Sequence, residues 1–270
     1  MKNILLRSIS GAIYVALIVA GVLINSWTFL ALCLLFVILS LIEYFTLELH
    51  DNASRNNYLT CILDVAGGVA MVGGTWLFVN GICIYGIAAY LIYLLARLIT
   101  QLYIKGVNPV TSLSKSFLGQ LYIALPLSVI MFIYAEAPYL VLAMFIFIWL
   151  NDTGAFIVGC SIGRHRLFPR LSPKKSWEGF WGGLVFCIAA AFVIKSFWPD
   201  TYTLTIGQMV GFAVVVSVFA TWGDLVESMF KRSLNVKDSG KIIPGHGGIL
   251  DRIDSLLCVI PAVTCYLLFM

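Results

Sequence analysis

The chain has 270 residues, of which 61% are hydrophobic and 11% are charged, and its formal net charge is +4. Soluble domains average roughly 45–50% apolar and about 25% charged residues, so this composition excludes a soluble globule. Long unbroken apolar runs, such as Tyr139 to Leu150, favour helices over the alternating strands of a membrane barrel. We therefore predict an all-α, polytopic transmembrane helical bundle, and we expect no nucleic-acid partner.

Nine apolar segments follow one another along the chain, each typical of a membrane-spanning helix of roughly 20 residues. They lie near 8–24, 27–47, 59–79, 81–100, 117–134, 138–160, 179–198, 204–229 and 254–270. No signal-peptide cleavage motif follows the first segment, so we expect an uncleaved first helix.

The basic residues indicate how these segments are oriented. With nine spans, nearly every Lys and Arg falls on the side of the N-terminus, and only Lys195 lies near the opposite end of a helix. Because cytoplasmic loops carry the excess of Lys and Arg, we expect a cytoplasmic N-terminus and cytoplasmic polar loops. The sequence therefore predicts a multi-pass protein of the inner (plasma) membrane, with its polar clusters facing the cytoplasm.

Two polar clusters lie around the sixth and seventh spans. Asn151 and Asp152 interrupt the sixth span, where an acidic residue needs a cation, a basic partner or water. A buried, hydrogen-bonded Asp that joins helices is the structural alternative. The following loop contains hydroxyl and ammonium groups that suit a polyphosphate. Its basic residues could instead merely set the membrane topology or attract anionic lipid. Its candidate binding residues are Ser172, Lys174, Lys175 and Ser176.

A third cluster lies at the end of the eighth span. Asp224, Glu227 and Ser228 are spaced i, i+3 and i+4, so they share one helix face. Lys231 continues that face one turn further, and Arg232 follows it directly. Carboxylates beside cations suit a metal ion that carries phosphate, although a purely structural network of ion pairs has the same pattern.

The fourth cluster lies in the loop before the last span and at the start of that span. Its glycines, including Gly247 and Gly248, allow backbone N–H groups to turn toward an anion. Its charged and polar candidates are Lys237, Asp238, His246, Asp251, Arg252 and Asp254. The two later aspartates stand one turn apart at the start of the last helix, where the helix dipole also favours phosphate. The histidine is either a phosphate contact or a loop-packing residue.

The four clusters together supply hard oxygen ligands, cations and glycine-rich turns. Mg²⁺ prefers a few carboxylates together with the phosphate oxygens of a substrate. The pattern therefore predicts metal-assisted phosphoryl or nucleotidyl transfer, in which catalysis is mainly positioning and charge neutralisation. Two acidic residues in the N-terminal spans, Glu43 and Asp64, are expected to serve helix packing.

The sequence from Ser228 to Asp254 is similar to the signature of phosphatidate cytidylyltransferases, also called CDP-diglyceride synthases. The similarity runs through Ser-Met-Phe-Lys-Arg, Lys-Asp-Ser-Gly and Pro-Gly-His-Gly-Gly-Ile-Leu-Asp-Arg-Ile-Asp. The earlier strings Asn-Asp-Thr-Gly-Ala-Phe and Ser-Pro-Lys-Lys-Ser-Trp-Glu-Gly resemble the same family, in the same order. The N-terminal half resembles it only in hydropathy and length. We therefore expect N-terminal transmembrane helices over 1–135 and a C-terminal transmembrane catalytic region over 136–270.

The resemblance implies a nucleotidyltransferase of phospholipid biosynthesis that converts CTP and phosphatidate into CDP-diacylglycerol and pyrophosphate. It also implies an active site on the cytoplasmic side, with membrane lipids and a second copy of the chain as partners. The implied ligands of Mg²⁺, with K⁺ as a candidate second cation, are Asp224, Asp251 and Asp254. The implied catalytic residues are Asp224, Asp251, Lys231, Arg232, Lys237 and Asp238. The implied substrate-binding residues are Asn151, Asp152, Ser172, Lys174, Lys175, Ser176, Ser228, His246, Gly247, Gly248 and Arg252.

Three other functions fit part of the pattern. A cytidylyltransferase for another lipid phosphate, such as an unsaturated archaeal ether lipid, would hardly change the headgroup motifs. A transporter of a phosphorylated solute would explain charges inside the membrane, but inverted repeats would favour it and none is detected. A structural membrane protein would explain the spans but not the ordered polar strings.

Overall fold

The computed structural model describes residues 2–48, 55–105, 108–199, 201–202, 204–234, 236, 239–240 and 247–270; the side chains of 2–8, 48 and 55–57 are not described. Helices make up most of this part of the chain. They are α1 Lys2–Leu23, α2 Ser26–Glu48, α3 Arg55–Val79, α4 Gly86–Tyr103, α5 Pro109–Gly119, α6 Leu125–Glu136, α7 Pro138–Ile162, α8 Trp177–Phe197, α9 Ile206–Ser233 and α10 Leu250–Leu268. A π-helical turn, Gln120–Ala124, joins α5 to α6. The predicted helical bundle is confirmed.

Within the described residues, seven helices are long and apolar enough to cross a membrane. They are Ser26–Leu47, Tyr58–Val79, Gly86–Tyr103, Pro109–Glu136, Pro138–Ile162, Trp177–Phe197 and Ile206–Ser233. The described part of α1 that is apolar, Ile9–Leu23, is shorter. The count of nine spans and the cytoplasmic N-terminus therefore stay predictions.

The chain forms two compact units. The first unit comprises Met1–Glu136 and Asp238–Arg252, and the second unit comprises Ala137–Lys237 and Ile253–Met270. The first unit therefore includes a segment that follows most of the second unit along the chain. The predicted division into N-terminal helices over 1–135 and a catalytic region over 136–270 stays a prediction.

A buried ion pair links α3 to α4 inside the first unit. The Asp64 carboxylate lies 3.3 Å from the Arg97 Nε, and both side chains are 1% exposed. Asp64 also accepts hydrogen bonds from the Tyr93 hydroxyl at 2.8 Å and from the Ser116 hydroxyl at 2.5 Å. Since an unpaired charge is costly away from water, this network joins three helices and keeps the charges compensated.

The guanidinium of Arg97 is held by further polar partners. It donates to the Gln101 side-chain oxygen at 2.9 Å and to the Ser112 hydroxyl at 2.9 Å. The π-helical turn adds Gln120, whose amide donates to the backbone oxygen of Asp64 at 2.6 Å. These contacts agree with the expectation that Asp64 serves helix packing.

A two-stranded antiparallel hairpin interrupts the helices of the second unit. Its strands are β1 Arg166–Phe168 and β2 Ser172–Ser176, with Arg166 opposite Ser176 and Phe168 opposite Ser172. The sequence analysis did not predict these strands, because three to five residues are too few to show a strand periodicity.

The hairpin leads directly into α8. The Ser176 hydroxyl accepts a hydrogen bond from the Gly179 N–H at 3.1 Å, so Ser176 is the N-cap of that helix. Glu178 accepts from the Arg164 N–H at 3.1 Å, and its carboxylate lies 2.6 Å from the His165 Nδ1. Both ends of the hairpin are thus fastened to the first turn of α8.

Replacement of Asp64 should destabilise the protein, because Asp64→Leu leaves the buried Arg97 guanidinium without its carboxylate. We expect the free energy of unfolding to fall by about 3–5 kcal/mol. The double variant Asp64→Leu/Arg97→Leu should recover part of this loss, since an apolar pair of similar volume substitutes well for a buried ion pair. Thermal unfolding of the purified proteins in detergent measures both effects. A single variant as stable as the parent would contradict the assignment.

The N-cap role of Ser176 predicts an ordered pair of variants. Ser176→Ala should lower the free energy of unfolding by about 1 kcal/mol, whereas Ser176→Gly should cost only a few tenths, since glycine is an acceptable N-cap. Thermal unfolding in detergent gives the ranking, with the exposed Ser161→Ala as the matched control. An alanine variant as stable as the parent would mean that the cap contributes nothing.

Candidate active site

One face of α9 carries four of the predicted polar side chains, which form two contacting pairs. The Ser228 hydroxyl donates to the Asp224 carboxylate at 3.3 Å. One turn further, the Lys231 ammonium contacts the Glu227 carboxylate at 2.5 Å, and this glutamate is 2% exposed. The helical spacing that predicted a shared face therefore places these groups in two adjacent pairs, and Lys231 compensates the buried charge of Glu227.

A lysine from the hairpin completes this face. The Lys175 Nζ lies 2.5 Å from the Asp224 carboxylate and donates to the backbone oxygen of Thr221 at 3.4 Å. Both partners of the ion pair are partly accessible, with side chains 26% and 34% exposed. A cation and a carboxylate that are paired yet still reachable from solvent can both exchange this contact for a charged ligand.

Arg232, which follows Lys231 on α9, contacts the hairpin. Arg232 donates to the backbone oxygen of Leu171 at 3.5 Å and to that of Val236 at 3.3 Å. Lys174 is exposed, and Ser172 is half-buried in the strand pairing. Arg232 thus helps to position the strand that delivers Lys175, and its predicted catalytic role stays a prediction.

Close packing of α9 against α10 brings a second acidic residue, Asp254, to the polar end of α9. A side chain at Gly223 would lie only 2.9 Å from the backbone of Asp254 and Ser255, so glycine is required for α9 to approach α10 here. The carboxyl group of Asp254 consequently lies within the electrostatic field of Asp224, Asp152 and Lys231. We call Asp152, Asp224 and Asp254 the acidic cluster.

The two predicted site residues of α7, Asn151 and Asp152, differ in their surroundings. Asn151 is buried, and its side-chain oxygen accepts from the Ser217 hydroxyl at 2.6 Å, which joins α7 to α9. Asp152 is exposed and belongs to the acidic cluster. The geometry gives Asn151 a helix-joining contact, and its predicted role in substrate binding remains a prediction.

The fourth polar cluster lies partly in the first unit, which contains its described residues up to Arg252. The Asp251 carboxylate accepts from the Ser239 N–H at 3.0 Å and from the Gly248 N–H at 2.8 Å. Gly247 adopts a left-handed backbone conformation, with φ of 84°, as expected for a glycine-rich turn. The Arg252 backbone oxygen accepts from the Tyr14 hydroxyl at 3.0 Å. Lys237, Asp238 and His246 lie outside the described residues.

Glu43 joins α2 to the start of α10, which is consistent with the expectation of helix packing. Its carboxylate accepts hydrogen bonds from the Ile249 N–H at 2.9 Å and from the Leu250 N–H at 2.8 Å, and the sequence did not identify these partners. The available signal was the cost of a carboxylate inside an apolar helix, which indicates a specific partner without identifying it.

The acidic cluster has the donor chemistry that suits Mg²⁺. Within the described residues, no group of three His, Cys, Asp or Glu side chains is arranged to hold a metal ion by itself. Mg²⁺ is usually bound by one or two carboxylates, with water and substrate phosphates as its other ligands, so the cluster fits a metal that arrives with a nucleotide. Asp224 belongs to the second unit and Asp251 to the first, and their predicted sharing of one ion stays a prediction.

The chain is similar in sequence to several staphylococcal proteins, including the following three. The phosphatidate cytidylyltransferase of Staphylococcus haemolyticus (strain JCSC1435) is 44% identical over 143 residues, which cover 52% of this chain and 54% of that protein. The enzyme of the same name from Staphylococcus aureus (strain COL) is 43% identical over 134 residues, covering 50% and 51%. That of Staphylococcus epidermidis is 46% identical over 128 residues, covering 47% and 48%.

The matched stretches span about half the length of these relatives. A family model described as the cytidylyltransferase family matches residues 5–270. Since that match covers nearly the whole chain, this protein belongs to the cytidylyltransferase family.

Proposed function

We propose that this protein transfers the cytidylyl group of CTP to phosphatidate, which yields CDP-diacylglycerol and pyrophosphate for phospholipid biosynthesis. The observation that carries the proposal is the accessible pair of Lys175 and Asp224 beside Asp254. Cations for phosphate oxygens and carboxylates for a metal lie together there, as nucleotidyl transfer requires. Family membership and the names of the relatives support the choice of CTP and phosphatidate.

The chain's own residues would bind and align the two substrates. A phosphate oxygen of phosphatidate attacks the α-phosphorus of CTP, and the bond to the β-phosphate breaks to release pyrophosphate. The attacking oxygen is already ionised, so no strong general base is needed. The residues proposed to hold the phosphate groups are Lys174, Lys175, Lys231, Arg232 and Lys237. Fixed cations at the reacting phosphates lower the barrier by positioning the substrates and stabilising the developing charge.

Asp224 and Asp254 are the residues we propose to hold Mg²⁺, and Asp251, one helical turn before Asp254, is the predicted third ligand. When bound, the metal would neutralise charge on the phosphate oxygens. K⁺ is a candidate for a second cation. Because Lys175 contacts Asp224 directly, it also limits the repulsion among the carboxylates before substrate binds.

The membrane helices support a reaction at the bilayer surface. We propose that the acyl chains of phosphatidate stay among the lipids while its headgroup reaches the cytoplasmic side, where CTP is found. An inner-membrane location and a homodimer are parts of the same proposal. Helices long and apolar enough to span a membrane support a substrate whose acyl chains stay in the bilayer.

Incubation of the purified full-length protein with labelled CTP, phosphatidate and Mg²⁺ tests the proposal. We expect a labelled CDP-lipid and an equal amount of pyrophosphate. Parallel reactions with an unsaturated ether-lipid phosphate distinguish the alternative lipid substrate. Flux of a phosphorylated solute into vesicles without consumption of CTP would indicate a transporter and overturn the proposal.

Asp224→Asn should lower kcat by about 100-fold or more, because it removes a charge that acts on the reacting groups while preserving side-chain size. Thermal unfolding should change little, since the side chain is partly exposed. The exposed Glu136→Gln is the matched control for loss of a carboxylate. Near-normal turnover of Asp224→Asn with ordinary Mg²⁺ dependence would remove this residue from the metal site.

Lys175→Ala should act mainly on substrate binding. Loss of one charge-assisted contact to phosphate is expected to raise the KM for CTP by about 10- to 100-fold, with a smaller change in kcat. Steady-state kinetics over a range of CTP concentrations separate the two effects. Lys115→Ala, at an exposed lysine of the first unit, serves as the control, and unchanged kinetics of the Lys175 variant would exclude a phosphate contact.

A further inference from the structure

Glu43 lies within the apolar helix α2 and is 2% exposed. Its carboxylate accepts two backbone hydrogen bonds, from Ile249 to Oε1 at 2.9 Å and from Leu250 to Oε2 at 2.8 Å. A third hydrogen bond comes from the Ser239 hydroxyl at 3.2 Å. All of these residues belong to the first unit, so a buried carboxylate holds a segment about 200 residues away in sequence.

The location of these N–H groups explains how the charge is accommodated. Leu250 is the first residue of α10, and the first N–H groups of a helix have no partner within the helix. The helix dipole also places positive potential at this end. Glu43 therefore serves α10 as an N-terminal cap supplied by another helix, and the cap compensates its negative charge.

Two glycines allow the segment to close around the carboxylate. A side chain at either Gly240 or Gly248 would overlap the Glu43 carboxylate. The backbone is therefore in direct contact with the acid on both sides, from residues 239–240 and from residues 247–250. We call these residues the α10 entry segment.

The entry segment in turn fixes Asp251. Ser239 donates its hydroxyl proton to Glu43, and the same oxygen accepts from the Asp251 N–H at 3.3 Å. The backbone N–H groups of Ser239 and Gly248 donate to the Asp251 carboxylate at 3.0 Å and 2.8 Å. A single chain of contacts thus leads from Glu43 through Ser239 to the carboxylate predicted to bind metal.

We propose that Glu43 is a positioning residue for this enzyme: it fixes the α10 entry segment so that Asp251 presents its carboxylate in one orientation. The inference rests on the proposed function, because Asp251 matters there as a metal ligand. Glu43 contacts no substrate or metal in this proposal. A residue that served packing alone would affect stability without affecting the use of Mg²⁺.

Glu43→Gln is the decisive variant, because it keeps the size of the side chain but turns one acceptor into an N–H₂ group that faces a backbone donor. We expect backbone amides in peptides covering 247–251 to exchange with deuterium about 10-fold faster or more, since a hydrogen bond to a charged group is lost. We also expect kcat to fall by about 10- to 100-fold and the Mg²⁺ concentration for half-maximal rate to rise, as for other residues that orient metal ligands.

Asp64→Asn is the matched control, since it alters the other buried carboxylate of the first unit that the structure describes. This control should lower the unfolding temperature without changing the Mg²⁺ dependence. If Glu43→Gln does not fold, Ser239→Ala breaks the same chain of contacts one step later and should raise both the exchange rate and the Mg²⁺ requirement.

Exchange rates and Mg²⁺ dependence equal to those of the parent would overturn the proposal. The exchange measurement requires no turnover. Parent protein that makes no CDP-lipid would therefore overturn the proposed function, while the exchange data would still decide whether Glu43 holds the segment.

Discussion

Every charge placed inside a membrane helix must be compensated, and this requirement determines how the helices of this protein are joined. Asp64 is matched by Arg97, and the buried Glu227 by Lys231. Glu43 is matched by N–H groups at the start of α10. In each case the compensating group comes from within the same compact unit, and two of the three pairs join different helices. Electrostatic compensation thus provides specific contacts where apolar surfaces alone would pack equally well in many ways.

The acidic cluster differs from these compensated, buried charges. Asp254 lies in the field of two other carboxylates, and Lys175, which pairs with Asp224, comes from an accessible hairpin rather than from a buried helix face. The charges of Glu43, Asp64, Arg97 and Glu227 are enclosed, whereas Lys175 and Asp224 remain within reach of solvent. The proposed site for a metal and a nucleotide would need that accessibility, because its charges would be exchanged in every catalytic cycle.

Local patterns allowed much of the fold to be predicted, whereas very short strands and long-range contacts could not be predicted. The helices were predictable because the bilayer demands long apolar runs, and the face of α9 was predictable because its residues are three and four apart. The hairpin was missed because its strands are too short to show a period. The partners of Glu43 could not be predicted because they lie about 200 residues away, and sequence spacing predicts no geometry over such a distance.

The return of residues 238–252 to the first unit has a consequence for biosynthesis. A ribosome makes α2 early, but the amides that cap Glu43 belong to the beginning of the last helix. The N-terminal half therefore cannot reach its final state during translation of its own helices. It is completed only after residues 249–250 have been synthesised, which ties its maturation to a segment made about 200 residues after α2.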